Sequence, residues 1–204
     1  MKSKWTWAIA LSTAAIIVGV SIYTHRLIEF GLSARDQPTS LEDLVARKLR
    51  RAAIPAKAKT LQNPLPSTAE MLIRGRNHWA DHCATCHSNN GSGDTMIGKN
   101  LYPKTPDMRL PDTQSLTDGE LYYIIRNGVR MTGMPAWGSP QDGDLDHDSW
   151  MLVLFIRHLP QVTAQEEREM QKLNPKTAAD RDEEQQEENF LNGTTSSKEN
   201  SNAH

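Results

Sequence analysis

The hydrophobic pattern divides the chain into one long apolar run, several short amphipathic segments and a polar end. From Trp5 to Tyr23 there is no charged residue and most positions are apolar. At ~1.5 Å rise per residue, such a helix nearly spans a ~30 Å hydrocarbon layer. Trp5, Trp7 and Tyr23 lie near its ends, where amphipathic rings favour the membrane interface. Further on, Leu41, Leu44, Val45, Leu49 and Ala52 share one helical face, with Arg47, Lys48, Arg50 and Arg51 mostly on the other and Ser40 placed to cap. Ser67-Thr68-Ala69-Glu70 is a capping box that opens a helix running towards Cys83, with Gly75 and Trp79 on a common face. A second capping box, Thr117-Asp118-Gly119-Glu120, opens a helix with Leu121, Ile124 and Ile125 as its buried stripe and Gly128 as its C-cap. The last apolar helix is predicted from Trp150 to Leu159, stopped by Pro160. Ser88–Asp94 and Leu101–Pro111 are rich in Gly, Pro, Asn and Asp and read as loops. No segment alternates as a strand would, so an all-α class is expected.

Charge sharpens these divisions. Residues 1–66 carry a net charge of +6, residues 67–162 carry −3 and residues 163–204 carry −5. Four regions follow: an anchor at 1–25, an amphipathic helix and proline-containing linker at 26–66, a globular domain at 67–162, and an acidic polar tail at 163–204. Pro55, Pro64 and Pro66 predict a stiff, extended linker. The tail begins as a polar helical stretch, gains an acidic run from Asp182 to Glu188, and has too few apolar residues for a core, so it is expected to be largely disordered. Lys2 and Lys4 would also suit the start of a secretory signal, but no small-residue cleavage pattern follows the apolar run. An uncleaved transmembrane anchor is therefore expected.

The chemistry centres on Cys83-Ala84-Thr85-Cys86-His87, a C-x-x-C-H sequence that contains the only two cysteines of the chain. This spacing is the attachment signature of a c-type haem. Two thiols can add to the haem vinyl groups as thioethers, and the adjacent imidazole can bind the iron. A thioredoxin-like pair would need a βαβ surrounding, which the pattern lacks. Structural zinc would need two more ligands, and His78 and His82 would crowd four ligands into ten residues.

A sixth iron ligand is offered by Gly133-Met134-Pro135-Ala136-Trp137, where a methionine is held between glycine and proline. Met131, Met96 and Met108 compete with Met134, and an open iron position is the remaining possibility. His/Met ligation is the arrangement of cytochromes c and raises the potential.

With these motifs, the chain resembles a class I monohaem cytochrome c of the bacterial, membrane-anchored kind. The resemblance rests on C-A-T-C-H at 83–87, G-x-G at 91–93, T-P-D-M at 105–108, G-M-P-A-W-G at 133–138 and W-M-L-V-L-F-I-R-H-L at 150–159, and covers roughly 67–160. It implies an all-α fold, helices packed around one covalently attached haem c, in which Gly75 and Trp79 of the first helix meet Leu152 and Phe155 of the last. It implies Cys83 and Cys86 as thioether positions, His87 and Met134 as axial iron ligands, and a proline carbonyl, Pro106 with Pro103 in reserve, as acceptor for the His87 ring N–H. Leu101-Tyr102-Pro103-Lys104 is inserted before this proline relative to the common pattern. Arg126, Asn127 and Arg130 are candidates to neutralise haem propionates. Haem attachment in such cytochromes takes place on the outer face of the bacterial inner membrane, which implies a single pass with the haem domain on the periplasmic side.

Two weaker constellations remain. Asp142, Asp144, Asp146 and Asp148 alternate, but an EF-hand register beginning at Asp142 puts His147 at the glycine position and Val153 at the glutamate position. A solvated loop that caps the final helix is the expectation. His78 and His82 stand one helical turn apart as a possible metal pair. The expected function is electron carriage between membrane-associated redox proteins, with no catalytic residue, no nucleic acid partner and no small-molecule substrate. The alternatives are a fixed haem subunit of a larger membrane oxidoreductase and a haem gas sensor.

Overall fold

The computed structural model describes residues 2–30, 33–139, 146–176 and 178–191. All regular structure among them is helical. In order, the α-helices are α1 (Lys2–Phe30), α2 (Ser40–Ala53), α3 (Ala56–Lys59), α4 (Ala69–His78), α5 (Ala84–His87), α6 (Pro111–Gln114), α7 (Asp118–Asn127), α8 (His147–His158), α9 (Ala164–Gln171) and α10 (Ala178–Leu191). A π-helical turn, Trp79–Cys83, joins α4 to α5.

The core forms where α4 crosses α8. A Cβ at Gly75 would collide with the Met151 backbone carbonyl, so only glycine admits this approach. Trp79 lies with its ring 5.6 Å from that of Phe155. Both are buried, together with Trp150, Val153 and Ile156. Each such large apolar side chain contributes about 1.5–3 kcal/mol by leaving water. The crossing joins the helices expected from the sequence, although the backbone met by Gly75 belongs to Met151 rather than Leu152. α7 closes the core through Leu121 and Ile125, and its Tyr122 ring stacks on Trp150 at 4.1 Å. Arg157 of α8 fastens the start of α7, donating to Asp118 Oδ1 at 2.7 and 2.9 Å and to the carbonyls of Gln114 and Leu116.

Several boundaries differ from the pattern. Thr39 rather than Ser40 caps α2 in a reciprocal box with Glu42, and Thr68 rather than Ser67 caps α4 by accepting from the Met71 amide. The second capping box stands as predicted, with Thr117 and Glu120 reciprocally bonded. α8 begins earlier than Trp150, because both carboxylate oxygens of buried Asp146 take hydrogen bonds from Ser149. Asp146 is thus a helix cap and Asp148 is exposed, while Asp142 and Asp144 lie outside the described residues.

The segment expected to be a bare linker packs on the domain instead. Ile54 and Ala58 are buried. Asn63 donates to the Trp150 carbonyl at 2.9 Å and Thr117 to the Lys59 carbonyl at 3.0 Å. α2 also binds the domain, through its polar face. Arg47 pairs with Asp112, Arg51 donates to Ser115 at 3.2 Å, and Glu42 accepts from the Tyr102 hydroxyl. Leu41, Leu44, Val45 and Leu49 are left exposed.

The body likewise extends beyond residue 162. α9 buries Met170, and its glutamates pair with Arg76 and His158 at 2.7 and 2.9 Å. α10 is helical where disorder is expected, as its alanine, glutamate and glutamine content favours and a Lys176–Glu184 pair at 2.6 Å supports. Residues 192–204 lie outside the described set. At the other end, Lys4–Arg26 is long and apolar enough to cross a membrane by length and composition, and it buries nothing against the rest of the chain.

Candidate functional site

α5 carries Cys86 and His87, and the π-turn before it carries Cys83. A wider turn of this kind adds a residue to the helix and re-aims the side chains that follow. The end of α5 is held by the loop that wraps it. Gly93 N donates to the His87 carbonyl at 2.9 Å, and Thr95 Oγ1 donates to the Cys86 carbonyl at 3.2 Å. The Trp79 indole donates to the Ser88 carbonyl at 3.0 Å, with its rings 5.5 Å from the His87 imidazole. The motif is thereby fixed to the buried helix crossing.

These three side chains open onto one cavity, whose wall also includes Met134, Pro106, Pro103 and Met108. Leu116, Leu121, Ile124, Ile125, Leu152 and Ile156 make much of the remainder apolar. The loop bearing Met134 folds back on the end of α7. Val129 N donates to the Met134 carbonyl at 3.1 Å, the Met134 amide donates to Thr132 Oγ1 at 3.1 Å, and Trp137 N donates to the Ile125 carbonyl at 3.2 Å. The competing methionines are placed differently. Met131 is 91% exposed and Met96 82% exposed, while Met108 packs against the core.

Burial pushes the His87 imidazole down to about 4, so at neutral pH it is uncharged, the form that ligates a metal. Burial, and secondarily the neighbouring Cys86, pushes the Cys83 thiol up to about 12, and burial also raises Cys86. His87 and Cys83 retain partial exposure because they face the cavity, while protein encloses them otherwise. His87 Nδ1 is buried and has no hydrogen-bond partner. No hydrogen bond joins it to the Pro106 carbonyl in this structure; that oxygen would stand 3.2 Å from a Cβ on Gly93. A neutral imidazole, a thioether sulfur, two neutral thiols and apolar walls form a donor set that suits a covalently held haem.

Of the other sequence candidates, only His82 lines this cavity. Arg126 donates to the Tyr122 hydroxyl and the Ser139 carbonyl, Asn127 donates to the Tyr123 carbonyl, and neither these two nor Arg130 lines the cavity. His78 and His82 stack on each other at 4.6 Å, with burial and the neighbouring His82 lowering His78. No cluster of three or more metal-binding side chains occurs among the described residues. Among the lining residues that the sequence reading did not single out as such are Trp137 and Arg50. Trp137 stood inside the Met134 motif, and its ring meets the His82 ring edge-on at 5.7 Å. Arg50 had only its place in the cationic face of α2 as a signal.

Residues 70–156 match the family model described as cytochrome c oxidase, cbb3-type, subunit III. No curated protein matches the chain. The matched stretch is a monohaem c-type cytochrome domain, and its cofactor is covalently bound haem c.

Proposed function

We propose that this cytochrome domain serves a membrane-tethered carrier that passes single electrons between respiratory redox partners through a His/Met-ligated haem. The observation that carries the reading is the shared cavity, which gathers Cys83, Cys86, His87 and Met134 within apolar walls. Haem c supplies an iron that takes up and releases one electron. Cys83 and Cys86 hold the macrocycle by thioether bonds. His87 would hold the iron through a ring nitrogen and Met134 through its sulfur, a pair that raises the potential. The orphaned His87 Nδ1 needs an acceptor, for which we assign the Pro106 carbonyl. Apolar neighbours exclude water and favour the less charged ferrous state.

α1 is the proposed single-pass anchor, in a bacterial inner membrane with the haem domain on the periplasmic face. Its length and composition support crossing. Haem attachment outside that membrane supports the orientation. A second reading, a fixed subunit of a membrane oxidoreductase, is favoured by the oxidase-subunit description of the matched family. Co-purification of the full chain from its native membrane with stoichiometric oxidase subunits would select it; isolation alone would select the carrier.

The test of the site is the absorption spectrum of the full chain expressed with a haem-attachment system. A low-spin spectrum with a sulfur-to-iron band, lost in Met134→Ala and insensitive to carbon monoxide in the unmutated protein, is expected. A high-spin spectrum or rapid carbon monoxide binding would replace this reading with an open iron site.

A further inference from the structure

The cavity wall carries two permanent cations among the described residues, Arg50 and Lys104. Lys104 is engaged, donating to the Ala34 carbonyl at 2.6 Å. Arg50 is different. It comes from α2, outside the matched domain, and its Nε is buried with no hydrogen-bond partner. Its neighbours on α2 hold the helix in place by binding the domain surface: Arg47 to Asp112 and Arg51 to Ser115. Arg50, between them, is directed to the cavity instead. Burial and then the adjacent Arg51 lower its affinity for its proton, with Arg47 adding to this and Asp112 and Asp43 opposing it. A guanidinium Nε removed from water without an acceptor costs free energy unless a ligand supplies the acceptor.

We propose that Arg50 is a haem-binding residue donated by the membrane-proximal helix, and that it pairs with a haem propionate carboxylate. This rests on the haem reading of the cavity. Haem is an apolar macrocycle bearing two carboxylates, and the planar fork of an arginine matches a carboxylate by two parallel N–H···O bonds. The pairing makes α2 part of the cofactor site, so the segment next to the membrane anchor is set against the haem by the haem itself. It also acts on the potential. A compensated propionate favours the ferrous iron; an uncompensated one stabilises the ferric charge.

The experiment compares the unmutated full-length holoprotein with Arg50→Gln, and with Lys48→Gln as a control that removes an equal charge from an exposed position of the same helix. Haem content and the low-spin spectrum are expected to persist in both variants. In R50Q the ferrous-to-ferric ratio at a fixed potential should fall about tenfold, equivalent to ~59 mV for one electron. K48Q should move it far less, because water and salt screen exposed charge. Amide exchange across Ser40–Ala53 should accelerate in R50Q. A potential in R50Q unchanged, or shifted no more than in K48Q, overturns the Arg50 proposal and leaves the haem site standing. Absence of thioether-linked haem from the unmutated protein overturns the site reading and the proposal with it. Should R50Q not accumulate, Arg50→Lys carries the test. Its single ammonium cannot reproduce the fork, so a smaller fall is expected, and an unmoved or raised potential overturns the proposal.

Discussion

Gly128 lies under Met134: a Cβ on Gly128 would stand 2.8 Å from the Met134 carbonyl oxygen and 2.6 Å from the Pro135 carbonyl carbon. Its φ of 66° with ψ of −171° falls in a region open almost only to glycine. The residue that ends α7 therefore also sets the height of the loop that presents Met134 to the cavity. Gly128→Ala would strain the backbone by about 1–3 kcal/mol and push the Met134–Ala136 segment outwards. The expected result is haem that remains attached but loses its sulfur-to-iron absorption band and gains carbon monoxide binding. A band of full intensity would show that this contact does not position Met134.

At the helix crossing, Gly75 serves a structural role. Gly75→Ala should lower stability by about 1–3 kcal/mol, the usual cost of forcing atoms into a packed core, as measured by thermal unfolding of the holoprotein. Gly75→Leu should prevent stable holoprotein from accumulating. Normal haem yield from the leucine variant would refute the tight crossing.

Arg157 has no counterpart in the haem chemistry but ties α8 to α7. Arg157→Gln would leave the carbonyls of Gln114 and Leu116 short of donors and Asp118 without its cation. A loss of about 1–3 kcal/mol is expected from chemical denaturation, with an unchanged spectrum because Arg157, Asp118 and Gln114 do not line the cavity.

The α9 cap gives a pH prediction. Burial alone would raise Glu166, but hydrogen bonds from the Thr163 amide and hydroxyl and from His158 outweigh it and hold its carboxyl below the ordinary range. A lowered value in the folded state means that this stabilisation is complete above the ordinary carboxylate range and is lost as pH falls through the folded value. Between about pH 6 and about pH 3, amide exchange at α9, corrected for its intrinsic pH dependence, should increase. Glu166→Gln should raise that exchange already at neutral pH and flatten its pH dependence. An acid response retained in the glutamine variant would assign it to another group.

Local chemistry was legible in the sequence because it is written in spacing. C-x-x-C-H, the Thr117–Glu120 capping box and the glycine-methionine-proline turn each depend on residues a few positions apart. The helix crossing was implied only by the resemblance, which set Gly75 and Trp79 of the first helix against the last. What could not be read was the fate of segments whose local pattern fits two surroundings. The cationic face of α2 has a pattern that fits water as well as protein, and only the placement of Asp112 and Ser115 on the folded domain turns that face inwards. Met170 is an apolar residue within a polar stretch, and its burial follows only from α9 packing on the body.

By itself, the sequence determined the helical class, the cofactor type, and the two cysteines and adjacent histidine available to hold it, because covalent chemistry and helix periodicity are local. The tertiary structure decided that Met134 and Met108, with Arg50 and Lys104, line the cavity while Met131 and Met96 stay exposed, and that residues 54–65 and 164–171 join the body. Those outcomes depend on burial and contact between residues far apart in the chain, where the free energy of removing Ile54, Ala58 and Met170 from water is realised only once the surfaces they cover exist.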